Sequence, residues 1–125
     1  MSYYGDENMF MPLHPTADSN EAAIGYATMW VQNHTLYVEV YVYNLMPFSD
    51  HAAHIHYGSC QSQGGIAYTL RDVVANANGF GAGYTAISGV SSIPSSGWYV
   101  NVHQGDSMEL GNQTGFDPIA CGNIQ

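Results

Sequence analysis

Thr35-Leu-Tyr-Val-Glu-Val-Tyr-Val-Tyr-Asn-Leu45 alternates without a break. Leu36, Val38, Val40 and Val42 fall on one side, and Tyr37, Glu39, Tyr41 and Tyr43 on the other. Successive side chains of an extended chain point to opposite faces, so this period marks a β-strand with a core face of valines. The tyrosine face reads as half-wet, or as a contact surface for another subunit. Toward the N terminus, Gln32-Asn33-His34 is a turn with a solvated histidine. Ala22–Val31, free of turn residues apart from Gly25, is the strand before it. Residues 1–21 carry Gly5, Pro12, Pro15 and scattered Asp, Asn and Ser. They read as an extended N-terminal arm or linker outside the sheet. The arm holds Met9, Met11 and His14, which can act as soft copper ligands, although methionine is more often a gap-filler.

Beyond Leu45-Met46-Pro47 lies Asp50-His-Ala-Ala-His-Ile-His-Tyr-Gly-Ser-Cys60, with three of the six histidines and one of the two cysteines. On a strand, His54 and His56 leave the sheet on one side while Ile55 enters the core on the other. Two imidazoles side by side make half of a metal site, and imidazole suits copper and zinc. Gln61–Gly65 then reads as a loop and Ile66–Leu70 as a short strand. Arg71–Gly79 is either one helical turn or an irregular crossover. Phe80–Ile87 is a strand, Ser88–Gly97 is turn-rich, and Trp98–His103 alternates again. There Trp98, Val100 and Val102 face in, while Tyr99, Asn101 and His103 face out, so His103 shares the outward orientation of His54 and His56. Ile119–Ile124, with Cys121, closes the chain. Short strands at this spacing predict an all-β Greek-key sandwich or flattened barrel over residues 22–125.

Composition narrows the function. The 125 residues suit one domain with a substantial core, and 46% hydrophobic residues argue against disorder. Lys and Arg total 1 against 10 acidic residues, for a net charge of -9. That excludes the basic footprint of a nucleic-acid binder and disfavours anionic membrane surfaces. No apolar run is long enough to insert into a membrane. Two cysteines in such a chain point either to one disulfide in an oxidising, extracellular or cell-surface setting, or to two buried thiols. The start, Met-Ser-Tyr-Tyr-Gly-Asp-Glu, lacks the regions of a signal peptide, so a secreted form would be a mature chain or an ectodomain. Asn33-His-Thr35 and Asn112-Gln-Thr114 match glycosylation acceptors, a pattern common by chance.

Three motifs in order resemble the copper/zinc superoxide dismutases. Leu45-Met-Pro47 with His51-Ala-Ala-His54-Ile-His56 and Gly58-Ser-Cys60 is similar to that family's copper strand and loop. Tyr99-Val-Asn-Val-His103 resembles the later strand that gives the last copper histidine. Ile119-Ala-Cys121-Gly-Asn-Ile124 resembles its C-terminal segment. Chordin-type repeat domains share the sandwich and a similar His-x-His strand. The resemblance implies His54, His56 and His103 as ligands of one copper ion, His51 as a brace behind them, and a Cys60–Cys121 disulfide. It also marks departures. No histidine lies between His56 and His103, so no family-type zinc site is expected, and Pro118 stands where the family has its catalytic arginine. Arg71, the sole cation, fits an ordinary surface ion pair better than a substitute. No catalytic residue is therefore assigned. The expected function is an extracellular copper-binding, dismutase-like domain of weak or absent turnover, with water or His14 as a candidate fourth ligand. The alternative is a structural module of a surface layer, fibre or adhesin, assembling with its own copies through the tyrosine face or the arm.

Overall fold

A computed structural model describes residues 9–16, 22–106 and 118–124. Ten strands run through them: β1 (Met9–Pro15), β2 (Ile24–Gln32), β3 (Thr35–Tyr43), β4 (Asp50–His51), β5 (Ala53–Ser59), β6 (Ser62–Thr69), β7 (Val73–Ala75), β8 (Gly81–Ser88), β9 (Trp98–His103) and β10 (Pro118–Asn123). All pairings are antiparallel, in the order β4-β7-β8-β3-β2-β1-β10-β9-β5-β6. The sheet curls on itself as a half-barrel, so its inner face closes into one core, as expected for a sandwich or flattened barrel.

The valine face of β3 is the centre of that core: Leu36, Val38, Val40 and Val42 are buried, together with Ala27, Met29 and Val31 of β2. The two strands join through Asn33 and His34, both at positive φ, 54° and 57°. Positive φ at both central residues defines the two-residue hairpin turn whose twist matches the strands. The opposite face carries stacked rings rather than bare water. Phe10, Tyr26, Tyr41 and Phe80 lie in successive ring contacts of 5.0–6.1 Å, and Trp30, Tyr37 and Tyr84 form a second row.

Three expectations are corrected here. Residues 1–21 are not all outside the sheet, because Met9–Pro15 is the strand that joins its two halves. Met9–Leu13 pair with β2, and His14 and Pro15 pair with β10. Met11 and Leu13 alternate into the core, an apolar period masked by the two prolines. Pro12 is tolerated because its ladder partner lies on one side only. Gln61–Gly65 is likewise not a free loop: all but Gln61 belong to β6, which bulges twice against β5 around His56. Third, the outward side of β9 is not exposed. All six of its residues are buried; His51 of β4 bonds the His103 carbonyl, and Gly64 of β6 donates to the Tyr99 hydroxyl. Arg71–Gly79 resolves into the short strand β7. Asn33 sits in the exposed hairpin turn, and Asn112 lies outside the described residues.

The disulfide is present: Cys60, at the β5–β6 turn, is bonded to Cys121 of β10, 61 residues away in sequence. On the chain-entropy account, a loop of that length stabilises the fold by about 4 kcal/mol. The double variant Cys60→Ser/Cys121→Ser is expected to lose that amount in equilibrium urea unfolding. A midpoint unchanged from the native chain would mean that the constraint contributes nothing.

Candidate metal centre

Pairing of β5 with β9 places His54 opposite Asn101 and His56 opposite Tyr99. Residues directly opposite in an antiparallel pair share a face, so all four lie on the side away from the core, with His103 two residues beyond Asn101. Ile55, Val100 and Val102 hold the two strands down by packing inward. The three rings converge: His54 and His103 have centroids 4.8 Å apart, His54 and His56 5.5 Å, and His56 and His103 5.7 Å. One ligand nitrogen from each lies within 4.8 Å of the others, and all three residues are buried.

Hydrogen bonds select which nitrogens face inward. His56 donates Nδ1–H to the Gly64 carbonyl at 3.1 Å, which leaves the Nε2 lone pair for the cluster. His54 Nδ1 and His103 Nε2 share one proton across 2.9 Å. Two nitrogens on one ion at 2.0–2.1 Å lie about 3.3–3.5 Å apart, so small ring rotations bring these atoms to ligand spacing. Binding must expel the shared proton. His51 extends from β4, bonds the His103 carbonyl through Nδ1 at 2.9 Å and meets the Ser49 hydroxyl through Nε2 at 2.8 Å. It thus braces the main chain of His103 rather than its ring. Such outer partners set ligand orientation.

Two supports were not visible as such in the sequence. Tyr99 stacks on His56 at 5.0 Å with planes 15° apart, and its hydroxyl accepts the Gly64 N–H at 3.3 Å. One residue, Gly64, therefore holds both rings. Only glycine fits there, since a Cβ would lie 2.4 Å from the Tyr57 carbonyl oxygen. The adjacent pair Gly64-Gly65 was the available signal; a bulge beside a strand histidine was its meaning. His14, in contrast, lies on β1, three strand spacings or about 14 Å from His54, and is not a fourth ligand. Met11 is in the core, on the wrong face, and Met46 is exposed.

Electrostatics favour the neutral forms of His54 and His56. Burial pushes His54 down to about 4, helped by the neighbouring His103 and His56 and opposed by Asp72. Burial also lowers His56, against the Gly64 carbonyl bond. Near this group, desolvation and a hydrogen bond with Asp72, then the charges of Asp72 and Asp106, raise Asp50 to about 6. A neutral, desolvated imidazole group is the ionisation state in which histidine binds metal.

A family model for the CHRD domain matches residues 9–110, starting at the first residue of β1 and covering the histidine strands. No curated protein matches the chain.

The pKa shifts have opposite consequences. His54 titrates lower when folded, so stability contributed by its neutral form is lost as pH falls from about 6.5 to about 4. Asp50 titrates higher when folded, so its contribution grows over the same fall, from about 6 downward. Asp50→Asn should therefore lose more stability than the native chain between pH 7 and pH 4.5 in urea titrations, and His54→Gln less. Equal losses in all three chains would contradict the assignment. Separately, His51→Ala should weaken metal binding by roughly 10–100-fold, the range for outer partners of a ligand, measured by competition with a chelator.

With the strand order, the disulfide and a buried three-histidine group able to hold a metal ion all in place, the match over most of its length makes this chain a member of the CHRD domain family.

Proposed function

We propose that this chain is an extracellular copper-binding domain in which His54, His56 and His103 hold one copper ion per chain, with little or no dismutase turnover. The observation that carries the reading is the meeting of three buried imidazoles from two adjacent strands, with one ligand nitrogen of each within 4.8 Å of the others. Packing alone gives no reason to bury three histidines against one another, since each costs desolvation. Three imidazoles without a carboxylate suit copper and disfavour magnesium or calcium. The ligand set matches the one that the likeness to copper/zinc superoxide dismutases implies, and the CHRD domain is the related repeat type. A disulfide in a chain with no other cysteine fits an oxidising compartment.

Copper, once bound, supplies one-electron chemistry; what the protein does around it bears on turnover. By the likeness to copper/zinc superoxide dismutases, Pro118 of β10 stands where those enzymes carry their catalytic arginine, and the net charge of -9 repels an anion such as superoxide. Both argue for binding, storage or sensing over rapid catalysis. A second reading is favoured by one observation. The aromatic face leaves Phe10, Tyr43 and Tyr84 between 41% and 64% exposed, and Phe48 is 75% exposed. Apolar exposure of that kind fits a module that assembles with its own copies.

Elemental analysis after copper loading should find about one copper per chain, lost in His54→Ala, with no matching second site for zinc. Superoxide consumption by the loaded protein should be small, and any that occurs should vanish in His103→Ala. Absence of copper from both chains would leave the assembly reading, testable by sedimentation.

A further inference from the structure

Asn101 is 2% exposed, and its Oδ1 has no hydrogen-bond partner among the described residues. Buried amide oxygens are nearly always satisfied, and one left bare costs stability, so its position needs a reason. Register supplies one. Asn101 stands directly opposite His54 on β9, between Tyr99 and His103 on the same face. His103 is level with Ala52, whose carbonyl its N–H meets at 2.8 Å, and so lies four residues along β5 from His56. Their rings nevertheless approach to 5.7 Å. They can do so only by leaning toward each other over the row occupied by His54 and Asn101, which makes Asn101 the floor of the cluster. Its neighbours give it no better use. On β10 it faces Cys121, whose sulfur is disulfide-bonded and has no proton to donate. The hydroxyl of Tyr99 is turned to Gly64.

We propose that the Oδ1 of Asn101 is the fourth donor of the centre, making it a three-nitrogen, one-oxygen site, an inference that rests on the metal-binding reading above. An amide oxygen accepts and cannot donate, so at the base of three converging lone pairs it attracts a cation rather than an anion. It is also a harder donor than imidazole or thioether. An oxygen in the set favours a divalent ion over Cu(I), which is content with imidazoles alone. Asn101 would then set the oxidation-state preference of the site, holding copper as Cu(II).

The test measures Cu(II) and Cu(I) affinities separately, by competition with chelators, for the native chain, Asn101→Leu and Asn101→Asp, with the Cu(II) electron paramagnetic resonance spectrum of each. Metal-free thermal unfolding reports whether the variants fold, and Asn101→Ala replaces leucine if that variant does not. Asn101→Leu should lose at least about tenfold in Cu(II) affinity, keep its Cu(I) affinity and show an altered spectrum. Asn101→Asp, which retains an oxygen, should bind Cu(II) at least as well as the native chain. Equal losses for both oxidation states, or an unchanged Cu(II) affinity and spectrum, would overturn the fourth donor while leaving the three-histidine site intact. A native chain that binds neither ion would overturn both.

Discussion

Antiparallel pairing of β5 with β9 holds Ile55 against Val100 on the core side, and the centre depends on that register. Because side chains alternate with period two, burying Ile55, Val100 and Val102 forces His54, His56, Asn101 and His103 to the other face together. A slip of β5 by one residue against β9 would turn His54 and His56 toward the hydrophobic core and Ile55 out of it. The hydrophobic effect thus fixes the register, and the register fixes the cluster. Main-chain bonds reinforce it where the cluster needs it most: Ala52 accepts from His103 and donates to Gly105.

The cluster itself is costly. His54, His56 and His103 are each almost wholly buried, and burial disfavours the charged forms of His54 and His56. The protein offsets part of that cost with hydrogen bonds at His56 to Gly64, between His54 and His103, and from His51 to the strand behind them. A sheet selected for stability alone would do better with apolar side chains at these positions. Retaining the histidines, braced and desolvated, is what a site held ready for a cation requires.

Much of this was legible in the sequence, for a physical reason. Alternation marks strands strongly, so β9 could be drawn to the residue and β2 and β3 to within two residues at each end, and the same alternation put His54, His56 and His103 on one kind of face. The pairing of Cys60 with Cys121 came from likeness, since two cysteines alone cannot exclude free thiols. Three things were not legible. The alternation of Met9, Met11 and Leu13 was hidden by Pro12 and Pro15, because a proline in a strand is tolerated only where one edge lacks a partner, and partners are a tertiary fact. The burial of Tyr99, Asn101 and His103 was missed because the outer face of a sheet reads as wet until something is known to cover it. The role of Gly64 was missed because a glycine pair signals a turn as readily as a bulge.

The disulfide ties these features into one unit. Cys60 lies at the turn between β5, which carries His54 and His56, and β6, which carries Gly64. Cys121 lies on β10, beside Asn101. Asn123 of β10 fastens the same turn twice more, accepting from the Cys60 N–H at 2.7 Å and donating to Gln61 at 2.9 Å. The hairpin is therefore held at its tip to a strand two places away, across β9. Lengthwise slippage of β5 against β9 would have to stretch that clasp, so the clasp protects the His54–Asn101 row. The same β10 is paired to β1 through His14 and Pro15. Restraint on the half of the sheet that carries His54, His56 and His103 thus passes through one strand into the aromatic half. A change at the β1–β10 seam would reach the centre by loosening β10 rather than by any contact with the histidines.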